Sequence, residues 1–385
     1  MMLDAPLAPE ADADQRSGPD AQSHLQIIDG DVHPALRSLA DLKPYMPARW
    51  WDLLATYGTR RRHGMSFEPY PKSAPRACRR DAWPEDGGPP GSNLDLVRAQ
   101  YLDHYGVAFG MLGPLGVTGQ SEVNLDLAAA IASAANDWQR EFFTRREPRL
   151  RSAIVVPYED GAAAAGEIER CAPDPAYAQV FMLTRSSEPA GNRRYWPIYE
   201  AAARHGLPVA LHVFGASGHP YTGAGWPSYY VEEGAGHSTS CQTVVTSLVI
   251  EGVFERFPSL KVVIVEGGFA WLAPLAWRLD KLFERMRGEV AHLKRKPSEY
   301  IREHIWVTTQ PMEEPADRTH VLDMMEWIGW DRLLFSSDYP HWDFDDPFRA
   351  FPAGMAAERS RQILTANARA VYRLPLSPLA GRGPG

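Results

Sequence analysis

The sequence predicts a (β/α)8 TIM barrel, and three observations lead to this fold class. Eight short apolar runs alternate with segments of helical periodicity along most of the chain. The runs are nearly continuous rather than alternating between apolar and polar residues, which is typical of parallel strands buried on both faces. The glycine-rich pattern of dinucleotide-binding sheets does not follow the first run. The eightfold repeat therefore favours a closed barrel over an open, doubly wound sheet.

Each predicted strand is a short run rich in Val, Ile, Leu and Phe. The eight runs are 25–28, 107–112, 153–156, 178–183, 208–214, 261–268, 305–310 and 333–338. Among the helical segments, 272–286 is the clearest, because its apolar residues recur at the three- and four-residue spacing of one helix face. Segments 124–143, 197–205 and 243–257 show similar periodicity and complete the strand–helix alternation.

One domain accounts for most of the 385 residues. We expect residues 1–23, rich in Ala, Asp, Pro and Gln, to form a disordered tail, residues 24–375 to form the barrel, and residues 376–385 to form a flexible tail. The stretch 42–91 interrupts the alternation and is rich in Pro, Arg and Gly. Its tryptophans argue against a disordered loop, so we interpret it as an insertion after the first strand that folds over the mouth of the barrel.

The composition favours a protein that acts on a small molecule over one that binds nucleic acid or spans a membrane. The formal net charge is -8 and the pI about 5.9, whereas nucleic-acid binders usually present a basic face. The sequence has neither a stretch of membrane-spanning length nor the apolar core of a signal peptide. Cys78, Cys171 and Cys241 form no CxxC pair, so we expect free thiols and a cytoplasmic location. A homodimer is expected because symmetric dimers are the commonest oligomers.

Polar residues capable of binding a metal follow several of the predicted strands. Asp31 and His33 follow the first run, and His212, Glu266 and Asp338 lie towards the ends of the fifth, sixth and eighth runs. In a barrel, the carboxyl ends of the strands converge at one rim, where the active sites of this fold lie. Imidazole and carboxylate groups that meet there suit zinc or manganese. The sequence therefore predicts a site for one divalent metal ion, Zn²⁺ or Mn²⁺, at this rim.

Each of these residues also has a purely structural explanation. A histidine after an apolar run is often a hydrogen-bonded core residue, Asp338 could begin a turn, and Glu266 before two glycines could cap the next helix. The joint occurrence is harder to explain in this way, because several independent strand ends would have to carry polar groups at the rim that hosts chemistry. We therefore favour the metal site.

A second group of residues is predicted to contact the substrate. His219 and His237 follow the fifth strand in what we expect to be a long loop on the catalytic side, with His237 as a further catalytic candidate. A solvent-facing histidine is the alternative for both. Gln310 ends the seventh strand and could donate a hydrogen bond to a carbonyl or an oxyanion. Trp226 is a candidate for the wall of an aromatic pocket, and His341, soon after the eighth strand, completes the set.

Several motifs occur in a recognisable order. They are segments 29–33 (DGDVH), 211–212 (LH), 265–268 (VEGG), 334–341 (LFSSDYPH) and 367–372 (NARAVY). In this order and spacing they resemble the amidohydrolase-related superfamily, in the branch that includes aminocarboxymuconate semialdehyde decarboxylase and aromatic-acid decarboxylases. The resemblance extends over nearly the whole chain, from about residue 27 to residue 374.

The resemblance implies that Asp31, His33, His212 and Asp338 bind one divalent ion and a water molecule. Asp31 stands where relatives have His or Glu, and a carboxylate also binds zinc. Glu266 stands where many relatives, including the decarboxylases, have a catalytic histidine after the sixth strand. This difference argues against decarboxylation, and we expect Glu266 and Asp338 to be catalytic, with a loop histidine as a substitute for the missing one.

Two enzymatic functions remain open from the sequence. A carboxylate beside metal-activated water is a suitable general base, and several carboxylates would repel an acidic substrate. The first expectation is therefore a metal-dependent hydrolase that cleaves an amide, lactone or C–C bond of a small ring-derived compound, with Glu266 as base. The alternative is a metal-dependent, non-oxidative decarboxylase of an aromatic or unsaturated carboxylic acid. A barrel that only binds a ligand is a third possibility, which the metal ligands disfavour.

Overall fold

The structure is a computed structural model that describes residues 26–58, 78–120, 122–214 and 225–377. Its eight strands form one sheet in sequential order, and every neighbouring pair is parallel. The strands are β1 (Ile27–Val32), β2 (Val107–Leu112), β3 (Leu150–Val155), β4 (Tyr177–Leu183), β5 (Val209–His212), β6 (Val262–Val265), β7 (Ile305–Thr308) and β8 (Leu333–Leu334). The predicted (β/α)8 barrel is confirmed.

The barrel closes between β1 and the segment that follows β8. The backbone N–H of Gly30 donates to the carbonyl of Phe335 at 2.8 Å, and that of His33 donates to Tyr339 at 2.8 Å. The eighth strand is shorter than the predicted run 333–338, because the chain leaves regular strand geometry after Leu334 while continuing along β1. Asp338 therefore lies beyond the strand, at the rim of the barrel.

Helices cover the outside of the sheet. They are α1 (Ala48–Tyr57), α2 (Leu94–Val97), α3 (Leu125–Trp138), α4 (Gly161–Cys171), α5 (Trp196–His205), α6 (Tyr230–Ile250), α7 (Val253–Arg256), α8 (Leu272–Arg285), α9 (Pro297–His304), α10 (Thr319–Ile328), α11 (Ala357–Arg361) and α12 (Asn367–Val371). Short 3-10 turns occupy Leu39–Tyr45, Arg80–Ala82, Arg193–Tyr195 and Trp330–Arg332, and π-helical turns occupy Arg98–Leu102, Gln139–Thr144 and Gln362–Ala366.

Polar side chains determine where several helices begin. The side chain of Asn124 accepts the backbone N–H of Leu127 at the start of α3, and Asp160 does the same for two N–H groups of α4. At the start of α6, the Glu232 carboxylate accepts the backbone N–H of Tyr229 at 2.7 Å. This cap starts α6 well before the predicted residue 243. The prediction missed it because glycine, serine and threonine, which are frequent in the first half of α6, are weak helix formers.

The predicted insertion 42–91 is partly described. Its first part is integrated in the fold, since Leu42 and Leu54 are buried in the hydrophobic core. Its last part pairs with the segment after β8: Cys78 forms an antiparallel bridge with His341, and the backbone N–H of Arg79 donates to Pro340 at 3.0 Å. This part of the insertion therefore lies at the carboxyl end of the barrel.

Some of the sequence predictions fall on residues that the structure does not describe. These residues are the predicted tail 1–23, residues 59–77 of the insertion, and residues 378–385 of the predicted tail 376–385. All three cysteines are free thiols, as predicted. None of the described helices combines the length and the apolar character needed to cross a bilayer.

Candidate metal centre and active site

Four potential metal ligands meet inside the carboxyl end of the barrel. Asp31 and His33 come from the end of β1, His212 is the last residue of β5, and Glu266 follows β6 directly. One ligand atom from each residue lies within 4.8 Å of the ligand atoms of the other three, and all four residues are buried. The parallel arrangement of the strands brings these groups together, as predicted from the positions of the strand ends.

The four ligand atoms face one another without forming hydrogen bonds. His212 Nε2 lies 2.8 Å from Glu266 Oε2 and 3.3 Å from Asp31 Oδ2, and His33 Nε2 lies 3.4 Å from the same Asp31 oxygen. None of these four atoms has a hydrogen-bond partner within the described parts of the chain. Buried polar atoms are almost always paired. Four of them converging on one point therefore fit a divalent cation, which would take all four as ligands.

The two imidazoles are held in the orientation that metal ligands require. His33 Nδ1 lies 2.6 Å from the carbonyl oxygen of Gly113, and His212 Nδ1 lies 2.8 Å from that of Val213. A carbonyl only accepts hydrogen bonds, so each Nδ1 carries the proton and each Nε2 keeps its lone pair for a cation. The outer contacts therefore support the same metal centre as the inner ones.

Asp338 and His341 border the four ligands. Asp338 Oδ1 lies 2.8 Å from His33 Nε2 and 2.6 Å from His341 Nδ1, and the His341 ring stacks on that of His33 at 4.3 Å. Gln310 Nε2 donates to Asp338 Oδ2 at 3.4 Å. Together with His33 and Glu266, Asp338 and His341 form a second, overlapping group of possible ligands. The assignment of Asp338 rather than Glu266 to the metal thus stays a prediction, because both are within reach.

The backbone is strained at three positions around this centre. Glu266, Asp338 and Phe214 have φ values of 57°, 60° and 82°, in the left-handed region that residues other than glycine rarely adopt. Each of them follows a barrel strand, and two are candidate site residues. Backbone strain of this kind is common at functional sites, where it holds a side chain in a required orientation. Phe214 is therefore a further candidate residue of the site.

The electrostatics of the centre are those of a site made for a cation. Burial lowers the pKa of His212, but Asp31 and Glu266 more than compensate and raise it to about 10. Burial opposes ionisation of Asp31 as well, yet the two histidines bring its pKa below the usual range. Burial raises the pKa of Asp338. Protons and a divalent cation therefore compete for the same nitrogens, and binding of the cation displaces protons.

The other predicted substrate contacts are brought together only in part. Gln310 is buried beside Asp338, as expected for a residue at the end of β7. His237 was predicted to lie in a loop, and this was wrong. It lies on α6, and its ring centre is 4.8 Å from that of Phe214. Trp226 is 41% exposed and lies 5.8 Å from the Arg185 guanidinium. The predicted contact His219 lies outside the described residues.

Three residues near the centre were missed by the sequence analysis. Phe181 and Phe214 place their rings 5.6 and 5.9 Å from that of His212. Phe181 carries no local signal, since it is one apolar residue within a buried strand. Arg185 did carry a signal, because it is a charged residue just after the fourth apolar run, as the other candidate residues are polar residues at the ends of their runs.

A closed parallel barrel with this cluster of imidazoles and carboxylates at its catalytic rim defines a metal-dependent barrel enzyme. The sequence profile of the amidohydrolase family matches residues 28–374. The protein belongs to this family and is an enzyme of the amidohydrolase superfamily, as the motifs indicated.

The relatives that the chain resembles include decarboxylases. The chain is 26% identical over 294 residues to gamma-resorcylate decarboxylase of Polaromonas sp. strain JS666, a match that covers 72% of this chain and 86% of the relative. Solved structures with the same fold include two decarboxylases. The 5-carboxyvanillate decarboxylase of Novosphingobium aromaticivorans, complexed with manganese and 4-hydroxy-3-methoxy-5-nitrobenzoic acid, matches with a TM-score of 0.68 at 18% identity, over 92% of this chain and 97% of its own. The dihydroxybenzoic acid decarboxylase of the Polaromonas strain, with manganese and the inhibitor 2-nitroresorcinol, matches with a TM-score of 0.59 at 20% identity. This match covers 91% of this chain and 97% of the other.

Proposed function

We propose that the protein is a metal-dependent, non-oxidative decarboxylase of hydroxylated aromatic carboxylic acids. The observation that carries this proposal is the position of Glu266, whose Oε2 lies 2.8 Å from His212 Nε2 within the group of ligand atoms. Hydrolysis, the first expectation from the sequence, needs Glu266 as a base that is free of the metal. Its contact with His212 supports a role as ligand, and the relatives favour the decarboxylase alternative.

The charge of the site is compatible with an acidic substrate once Asp338 holds a proton. Asp31, Glu266 and Asp338 would together exceed the charge of one divalent ion and repel a carboxylate. Burial raises the pKa of Asp338, which favours its protonated form. A divalent ion would offset the charges of Asp31 and Glu266 and so reduce the repulsion of an aromatic carboxylate.

Asp31, His33, His212 and Glu266 would hold the ion. When bound, a divalent ion supplies positive charge that attracts anionic oxygens of the substrate and stabilises charge that develops during the reaction. Manganese in the two related decarboxylase structures supports this metal for the present protein, and zinc suits the same ligand types.

In the proposed reaction, Asp338 protonates the ring carbon that carries the carboxylate. Electrons of the ring form the new C–H bond, and the electron pair of the C–C bond then returns to the ring as carbon dioxide leaves. The reaction consumes one proton and neither an oxidant nor water. The contacts of Asp338 with His341 at 2.6 Å and Gln310 at 3.4 Å would orient its carboxyl group for this transfer.

The apolar surroundings of the centre suit an aromatic ring. Phe181 and Phe214 approach His212 from two strands, β4 and the end of β5. Aromatic rings pack favourably against one another, and a pocket with apolar walls and a few polar groups is typical of small-molecule sites. An aromatic acid could thus place its ring against these side chains and its carboxylate at the ligand cluster.

The test is an assay of the manganese-loaded protein with 2-hydroxybenzoates in D2O. We expect carbon dioxide release and deuterium on the ring carbon that loses the carboxylate. Asp338→Asn should abolish both, while Asp331→Asn, an exposed aspartate, should change neither. Metal analysis of Asp338→Asn separates a proton donor, which leaves the metal content intact, from a ligand. Water-dependent cleavage of amides or lactones, with no carbon dioxide from any hydroxybenzoate, would refute the proposal and restore the hydrolase.

A further inference from the structure

A cavity of about 570 Å³ lies at the amino end of the barrel, opposite to the metal ligands. Its walls include Arg151 at the start of β3 and Tyr177 at the start of β4. The π-helical turn Gln139–Thr144 and the segment 372–375 after α12 also contribute to them. The volume is within the range of small-molecule sites. Because the active sites of this fold lie at the carboxyl end of the strands, a ligand in this cavity would not occupy the catalytic centre.

Arginine dominates the charge of this cavity. Four arginines from three parts of the chain line it, namely Arg140, Arg145, Arg151 and Arg373. Asp174 is the only carboxylate among the described lining residues, and it contacts Arg140. Glu141, beside the cavity, lies 2.6 Å from both Arg140 and Arg145. Four arginines against these two carboxylates leave a surplus of two positive charges.

Uncharged partners hold the guanidinium of Arg151 in place. It donates to the carbonyl oxygens of Pro148 and Leu150 at 2.7 and 2.9 Å, and it lies 4.7 Å from the ring centre of Phe109. Carbonyl oxygens and an aromatic ring carry no net charge, so these contacts orient the guanidinium without neutralising it. A planar group that is already oriented loses little conformational freedom when it binds an anion.

Positive charge also accumulates beside Arg373. The backbone of Arg373 has a φ of 52°, in the left-handed region, and its guanidinium lies against Gly206, where a Cβ atom would collide with it. Burial lowers the pKa of Lys261, and the nearby charges of Arg373 and Arg332 lower it further. Cations that are held together in this way repel one another, and a bound anion would relieve the repulsion.

We propose that this cavity binds a small organic phosphate, whose phosphate group contacts the arginines. At pH 7 a phosphate monoester carries a charge of about −1.5 to −2, which matches the surplus of positive charge. Guanidinium groups bind phosphate through paired N–H donors. Pro148, Pro175 and Leu374 provide apolar walls for the organic part of the ligand. The site is separate from the catalytic centre and does not depend on the proposed function.

The test is a calorimetric titration of the manganese-loaded protein with adenosine monophosphate, beside adenosine, which lacks only the phosphate. We expect saturable binding of about one equivalent of adenosine monophosphate and no binding of adenosine. Arg373→Gln and Arg145→Gln should each weaken binding of the phosphate by about tenfold, the effect of one lost charge-assisted hydrogen bond. Both side chains are exposed, so both variants should fold, and urea unfolding checks this.

Arg146→Gln is the matched control for the arginine variants. Arg146 is the chain neighbour of Arg145 and is also exposed, but it packs on Phe142 at 4.8 Å and does not line the cavity. It should bind adenosine monophosphate as wild type does. His212→Ala, which should lose the metal, should also bind it, because the metal centre lies at the other end of the barrel.

Two results would overturn the proposal. The first is a wild type that does not bind adenosine monophosphate, or variants Arg373→Gln and Arg145→Gln that both bind it with full affinity. The second is binding that is lost in His212→Ala, which would place the phosphate on the metal rather than in the cavity. Because binding is measured without turnover, neither result bears on whether the protein is a decarboxylase.

Discussion

The carboxylate of Asp29 accepts two hydrogen bonds from Ser337, one from its backbone N–H at 3.0 Å and one from its hydroxyl at 2.6 Å. Asp29 lies on β1 and Ser337 follows β8, so these bonds close the barrel at the point where the chain has come full circle. Tyr101 donates a third hydrogen bond to the same carboxylate. Asp31 and Asp338 lie next to this connection, which therefore positions two carboxylates of the candidate metal centre.

Ser337→Ala tests this connection. The variant removes the hydroxyl donor and leaves a buried carboxylate with one partner fewer, so we expect a loss of about 1–3 kcal/mol in the free energy of unfolding. Metal affinity should fall as well, because Asp31 and Asp338 lose their common support. Ser298→Ala removes a comparable bond, 2.7 Å to Asp280, and should reduce stability alone. Urea unfolding and metal titration measure the two effects, and unchanged metal affinity in Ser337→Ala would contradict the positioning role.

Removal of a metal ligand should be visible directly in the metal content. We expect about one equivalent of manganese or zinc in the purified wild type, in line with a single centre. His212→Ala should lose it, because the imidazole contributes one of four converging ligand atoms. His292→Ala serves as the control, since that imidazole lies outside the centre and contacts the carbonyl of Ile250 at 2.7 Å. Elemental analysis measures the metal content of wild type and both variants. Full metal content in His212→Ala would contradict the proposed site.

Glu266→Gln distinguishes a ligand from a base. Glutamine keeps the shape of the side chain but loses the charge, so we expect metal affinity to drop by about tenfold or more. Competition with a chelator measures this loss, and Glu289→Gln, an exposed glutamate, should behave as wild type. Full metal affinity together with lost turnover would mean that Glu266 acts as a base, and the hydrolase expectation would regain its main support.

Glu147 should control the acid stability of the barrel away from the metal centre. Burial raises its pKa, but hydrogen bonds from Arg149 and Arg98 outweigh burial and lower the pKa from 4.5 to about 2. A pKa that is lower in the folded state gives stability that is present above about pH 4.5 and is lost as the pH falls towards about 2.

Glu147→Gln should therefore reduce the free energy of unfolding at pH 7 by about 2 kcal/mol and flatten its decline between pH 4.5 and pH 2. The two arginines are partly exposed, which keeps the effect below the full linkage value. Urea midpoints at neutral and acidic pH measure the effect, with Glu289→Gln as the control. Parallel pH profiles for Glu147→Gln and wild type would contradict this prediction.

The fold and most of the centre could be predicted because their signals are local. Continuous apolar runs indicate buried parallel strands, and a polar residue at the end of such a run must lie near the rim of a barrel. Asp31, His33, His212 and Asp338 were predicted as metal ligands in this way, and Glu266 as a base. Arg185, just after the fourth run, carries the same signal. The predicted start of α6 at residue 243 was wrong, because the helix begins in a segment of weak helix formers.

The sequence by itself determined the class of fold, the strand ends that carry chemistry and the presence of a divalent metal site, since these follow from hydrophobic periodicity and residue type. Only the tertiary structure decided which atoms meet. The 2.8 Å contact of Glu266 with His212 and the 2.6 Å contact of Asp338 with His341 depend on strand register and on left-handed φ values at Glu266 and Asp338. The role of each carboxylate depends on these distances, because a free base and a metal ligand are the same residue type in different geometry.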